Sequence, residues 1–230
     1  MAVVGIDQSL TGTGLAELTN DGVLKRNVLV KTGKLVGIER LDLITKTVIS
    51  FCEEVDERFV ISREGYSFAS KGRSVFNLGE LGGCIDLSLF RSTMPNLISY
   101  YVLPPTVVKK FCLGSGSVKK DSGYLLKVYN KFGKEFPDDN QADAFMIATT
   151  LLAFMKASCI QKGQLNGFDH EVYFNSLSVI EKEALLSSSM SLKDSGLTKA
   201  TMKKLDHITF ADFASKGLKE HLAFNRGTKT

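Results

Sequence analysis

The chain of 230 residues has no apolar run long enough to cross a bilayer as a helix. It has no CxxC pair. None of its four cysteines, Cys52, Cys84, Cys112 and Cys159, has a histidine close enough in sequence to complete a zinc site, so reduced core thiols are expected. There is no internal repeat. The opening Met-Ala-Val-Val-Gly-Ile-Asp lacks the basic segment and apolar run of a signal peptide, and a cytoplasmic protein is the expectation. Excess charge is also small. A net +4 neither demands nor forbids a nucleic-acid partner.

What is present is the composition of a soluble globular protein, 43% apolar and 23% charged. The length suits one well-buried domain with a smaller appendage. Beyond about residue 157 the sequence shifts to Ser, Lys and Gly with short helical patterns near 178–186, 198–205 and 210–222. A catalytic domain over 1–156 and a helical extension over 157–230 are therefore expected.

Residues 2–6 form an apolar run that ends in Asp7. A small-residue turn leads to Leu15-Ala16-Glu17-Leu18, and the hairpin signal Asn20-Asp21-Gly22 precedes an alternating stretch from Val23 to Val30. This predicts a meander of three strands. Helical spacing of apolar residues follows over 37–55, then a strand at 59–61 running toward Glu64, a helix over 74–90 and a strand over 97–103. Pro104-Pro105 begins a short helix, 119–132 has helical character, and 140–156 is a strongly apolar helix capped by Asp138 or Asp139. Strands followed by alternating strands and helices predict a mixed sheet with helices on its faces.

Asp7 and Glu64 each stand where a strand ends, and Asp143 stands near the start of a helix. Neighbouring strands would bring the first two carboxylates to one sheet edge, and a packed helix can bring the third. Three carboxylates in one small site repel one another, so the arrangement makes sense chiefly with a divalent cation. Oxygen ligands suit Mg²⁺ or Mn²⁺, and two such ions can serve phosphodiester hydrolysis. Taken singly, an Asp after a strand is commonly a turn former and an Asp in a first helical turn a cap.

Four segments in order resemble the motifs of RuvC-type Holliday junction resolvases. Val4-Gly5-Ile6-Asp7-Gln8-Ser9-Leu10-Thr11-Gly12-Thr13-Gly14 resembles the opening motif, and Ile61-Ser62-Arg63-Glu64-Gly65-Tyr66-Ser67-Phe68 the second. Val107-Val108-Lys109-Lys110 with Gly116-Ser117-Val118-Lys119-Lys120 is similar to the family's basic stretch, and Asp139-Asn140-Gln141-Ala142-Asp143-Ala144 to its closing helix motif. The resemblance covers about residues 1–155. It implies a ribonuclease H-like α/β fold with a mixed five-stranded sheet, a homodimer, dependence on Mg²⁺ (Mn²⁺ as substitute, two ions per site) and paired nicks in four-way DNA junctions.

On that pattern Asp7, Glu64 and Asp143 hold the metals, and Lys120 or Lys119 stabilises phosphate charge. Lys109 and Lys110 contact the DNA backbone, and Phe68 or Tyr66 stacks at the opened junction centre. Two departures stand out. Gln8 occupies a position where the family often has proline. Asn140, three before Asp143, replaces the family's Asp or His, so the fourth ligand is open between Asn140 and Asp139. A helicase partner is not named by the sequence.

Two other functions compete. Gly5-Ile6-Asp7-Gln8-Ser9 with Thr11 and Thr13 also resembles the first phosphate loop of sugar kinases and actin-like ATPases, but the second phosphate loop and second domain of that class are missing. A module that binds branched DNA without cutting it would gain nothing from buried acids.

Overall fold

The computed structural model describes residues 1–65, 73–157, 169–189 and 222–225. The meander forms as β1 (Ala2–Asp7), β2 (Gly12–Leu18) and β3 (Leu24–Lys31), each antiparallel to the next. Its hairpin is closed by the Gly22 amide donating to the Thr19 carbonyl at 2.9 Å. After α1 (Gly37–Glu53), β4 (Phe59–Glu64) pairs parallel to β1, and after α2 (Arg73–Arg91), β5 (Leu97–Leu103) pairs parallel to β4. There follow α3 (Pro105–Leu113), α4 (Tyr124–Phe132), α5 (Asp139–Ala157), α6 (His170–Ser176), α7 (Val179–Ser189) and β6 (Leu222–Asn225).

The sheet order is β3-β2-β1-β4-β5-β6. The expected mixed five-stranded sheet is present, and a sixth strand is added to it. β6 pairs antiparallel with β5 and includes Leu222, which the sequence pattern placed at the end of a helix. An open edge strand offers a row of unpaired backbone groups, and four residues suffice to cover part of it. The tail lysines Lys199, Lys203, Lys204, Lys216 and Lys219 lie outside the described residues.

Strand alternation sorts the core into two layers. Ala2, Val4 and Ile6 of β1 join Phe59 and Ile61 of β4 against Ile44 and Val48 of α1 and Leu81 and Ile85 of α2. Val3 and Val60 face the other way, toward α5, α3 and α4. Helix α5 is apolar on nearly every face because it is enclosed: the sheet lies on one side, and α3, α4 and α6 on the other. Phe174, Ala184 and Leu185 of the extension are buried in this same layer.

Two glycines let α5 lie directly on the strands. A β-carbon on Gly5 would fall 2.1 Å from the Ala144 carbonyl oxygen, and one on Gly14 would fall 2.0 Å from that of Asn140. No side chain fits there, so the helix backbone rests on the strand backbone. Helix α4 begins later than the periodicity predicts. Residues 119 and 120 are irregular, 121–123 form a turn in which the Gly123 amide donates to Asp121 Oδ1 at 3.1 Å, and the helix starts only at Tyr124. Among the described residues no helix is long and apolar enough to cross a membrane.

Candidate active site

Gly5 pairs with Ser62 and Ile6 with Arg63, so the parallel register carries Asp7 and Glu64 side by side to the same edge. Both belong to the face that α5 covers, since alternation sends Ile6 and Arg63 to the opposite side. Asp143 sits one residue before Ala144, the point at which α5 rests on Gly5. The three carboxylates named from the sequence thus converge, and Asp7 and Asp143 are only 3% and 4% exposed.

The site is crowded with negative charge. Burial, then the charges of Glu64, Asp143 and Asp139, hold the Asp7 carboxyl well above the usual carboxylate range, with Lys120 opposing them. Burial and the Asp143 charge push Glu64 up to about 7, against the pull of Lys120, Lys109 and a hydrogen bond with Asp7. Burial and mutual repulsion thus disfavour full ionisation of this pair.

Lys120 is the cation inside the cluster. Its Nζ lies 2.5 Å from Asp143 Oδ2 and 3.2 Å from Asp139 Oδ2. Burial disfavours the ammonium, but Asp143, Asp7 and Asp139 outweigh that cost and hold it well above its ordinary value. Lys120 stands in the non-helical segment just before α4. The fourth acidic residue is Asp139. Asn140 instead engages Asp138, its backbone amide and its Nδ2 each donating to Asp138 Oδ1 at 2.8 Å, and its side chain rests against Gly12. Asp138 is therefore the residue that caps α5.

The other lysines separate. Lys109 is close enough to Glu64 to lower its pKa, and its Nζ donates to the Val118 carbonyl at 3.3 Å. Lys110 pairs with Glu183 of α7 at 2.9 Å. Lys119 is exposed. Tyr66 and Phe68, the candidate wedge aromatics, lie outside the described residues.

Two supports were missed in the sequence. The Tyr124 hydroxyl donates to Asp143 Oδ1, and burial together with the Asp143 charge raises its pKa far above normal, so it remains a donor. A tyrosine after a glycine looks like any core aromatic, and no sequence signal separates the two. Arg63 is 2% exposed and grips Asp86 through Nε and Nη2, both at 2.7 Å, while its Nη1 donates to the Glu64 carbonyl at 2.8 Å. Tyr100 donates to the same Asp86. A charged residue within an otherwise buried strand was the available clue.

The donor set fits a hard divalent cation. The convergent acidic side chains offer only carboxylate oxygens, and Asp7 Oδ2 is buried without a hydrogen-bond partner. A lone buried acceptor of this kind costs about 1–3 kcal/mol, which a cation would offset. Among the described residues no group of three or more acidic, histidine or cysteine side chains stands in metal-ligand geometry, and it is the Lys120 ammonium that lies among the carboxylates. Cys52 and Cys112 are buried, free and pushed up to about 12 by desolvation, so neither supplies a thiolate.

No family model matches the chain, and no curated protein does. Solved structures do. The structure of Thermus thermophilus RuvC is 23% identical with a TM-score of 0.53, covering 66% of this chain and 94% of that one. T. thermophilus RuvC in complex with Holliday junction substrate is 21% identical with a TM-score of 0.52, covering 66% and 93%. The likeness establishes the fold: a ribonuclease H-like α/β sheet of the kind seen in RuvC.

Proposed function

We propose that this chain is a divalent-metal-dependent endonuclease that nicks branched DNA, four-way junctions above all, and acts as a homodimer. The observation that carries the reading is the convergence of Asp7, Glu64 and Asp143, with Asp139 and Lys120, on one sheet edge. The substrate is taken from the neighbour of like fold described in complex with Holliday junction substrate. Paired nicks across a two-fold junction require two active sites, hence two copies.

Asp7, Glu64 and Asp143 would hold Mg²⁺, with Mn²⁺ as a substitute and Asp139 as the fourth carboxylate in preference to Asn140. Ions bound there supply Lewis-acid activation of water and charge stabilisation for the leaving oxygen. The chain's own residues prepare that chemistry. Asp7 and Glu64 ionise fully to become ligands. Lys120 leaves Asp143 and turns its charge to the scissile phosphate. Lys109 and the exposed Lys119 hold the DNA backbone, and Phe68 or Tyr66 stacks on the opened bases. Residues 1–156 form the catalytic unit, and of the extension over 157–230, α7 packs on α3 and β6 covers the sheet edge.

The test is incubation of the protein with a labelled four-way junction, a linear duplex and an RNA-DNA hybrid, in Mg²⁺ or EDTA, beside Asp7→Asn. Symmetric metal-dependent nicks in the junction alone, lost in the variant, are expected. Binding without cutting in Mg²⁺ and Mn²⁺ would establish the non-cleaving module instead, and cutting of the hybrid would move the substrate.

A further inference from the structure

Asp143 presents two oxygens, and two residues of one short segment divide them. Lys120 takes Oδ2 at 2.5 Å, and the Tyr124 hydroxyl takes Oδ1. The two partners differ in how firmly they are held. Lys120 lies in the non-helical segment before α4 with 36% of its side chain exposed. Tyr124 opens α4, is 2% exposed, and has its ring packed in the core layer shared with Val128 and α5. Lys120 can leave; Tyr124 cannot.

We propose that Tyr124 is the positioning residue that fixes the Asp143 carboxylate, holding Oδ1 so that Oδ2 remains aimed at the metal position once Lys120 withdraws. The inference rests on the metal-dependent reading above. The end torsion of an aspartate is broad, so a carboxylate released by its lysine would otherwise turn freely. A neutral donor suits this position because it restrains one oxygen without placing a second positive charge against the incoming cation. Partners of this kind typically alter metal affinity by about 10–100-fold when removed.

The experiment is titration of the full-length, metal-free protein with Mn²⁺ alone, by calorimetry, for wild type, Tyr124→Phe and Asp143→Asn. Metal-free melting curves and junction affinity in EDTA are recorded beside it. Tyr124→Phe is expected to weaken Mn²⁺ binding about tenfold or more. Its junction affinity in EDTA should stay unchanged, and its cleavage should return at saturating Mn²⁺. Wild-type Mn²⁺ affinity in Tyr124→Phe, with binding lost in Asp143→Asn, overturns the positioning role and leaves the metal site standing. Unchanged binding in both variants overturns the metal site and this role together. Should Tyr124→Phe not fold, a fluorotyrosine at position 124 keeps ring and hydroxyl while strengthening the donor; a shifted Mn²⁺ affinity then supports the role and an unshifted one overturns it.

Discussion

Gly5 lies so close beneath Ala144 that a single added carbon would collide with its carbonyl oxygen at 2.1 Å and with the Ala148 nitrogen at 2.7 Å. Both neighbours are backbone atoms of α5, which cannot swing aside as a side chain would. Gly5→Ala is expected to lift α5 from the sheet. The cost is at least about 1–3 kcal/mol, the usual range for overpacking a dense core. Because Asp143 moves with the helix, cleavage should fall further than stability, and urea unfolding beside junction cleavage reads both. A variant of wild-type stability and activity would refute the close contact.

The protonation of Glu64 sets a pH signature. Its pKa is about 7 in the folded chain and near 4.5 when unfolded, so the folded protein binds the extra proton between those values. Stability of the metal-free protein should therefore be highest below about pH 4.5, as far as this group alone decides it, and fall as pH rises toward 7. Glu64→Gln removes the penalty and is expected to stabilise the metal-free protein at pH 8 by on the order of 2 kcal/mol. Chemical denaturation at pH 5 and pH 8 decides the matter. Protons compete with the cation for the same oxygens, so Mg²⁺ binding should weaken below about pH 7.

Lys120→Ala should separate binding from chemistry. Removing the ammonium frees Asp143 and Asp139, so Mg²⁺ affinity should rise. Cleavage at saturating metal should still drop by about 10²-fold, the usual loss when one electrostatic stabiliser is deleted. Unchanged affinity together with an unchanged saturated rate would show that Lys120 does neither job.

Asp86→Ala strips Arg63 of its bidentate partner. Breaking a buried ion pair typically costs about 3–5 kcal/mol, and the partial exposure of Asp86 puts the expected loss at the low end of that range. Arg63 also holds the Glu64 carbonyl, so the variant should lose metal affinity as well as stability. Wild-type Mn²⁺ binding in a destabilised Asp86→Ala would limit Arg63 to scaffolding.

Lys110 and Lys119 should differ in the salt dependence of junction binding. Lys119→Ala is expected to reduce the slope of log affinity against log salt by about 1, the effect of one lost phosphate contact. Lys110, committed to Glu183, should change the slope little. Equal slope changes would mean that the Lys110 pair opens on DNA.

The scaffold of the site was legible because strand period and turn chemistry act locally. Alternation and Asn-Asp-Gly determine the meander, and the two runs that end in Asp7 and Glu64 place those acids wherever the sheet edge forms. The start of α4 was not legible, because the helical pattern continues smoothly through Lys119 while the turn depends on Asp121 accepting from the backbone. That Asp139, and not Asn140, meets Lys120 depends on which side of α5 faces that lysine. Tyr124 and the Arg63–Asp86 pair act through contacts between segments distant in sequence. β6 is the extreme case: its four residues have no strong pattern of their own, and the open edge of β5 completes them.

That last pairing also orders events during synthesis. Ser99 meets Asn225 across more than half the chain, so β5 leaves the ribosome long before the strand that covers its edge exists. Through that interval the nascent chain carries an unprotected, largely apolar strand that any passing extended segment can join. The sheet that carries the candidate active site can thus form early, while, among the described residues, the cover for its β5 edge arrives with residues 222–225.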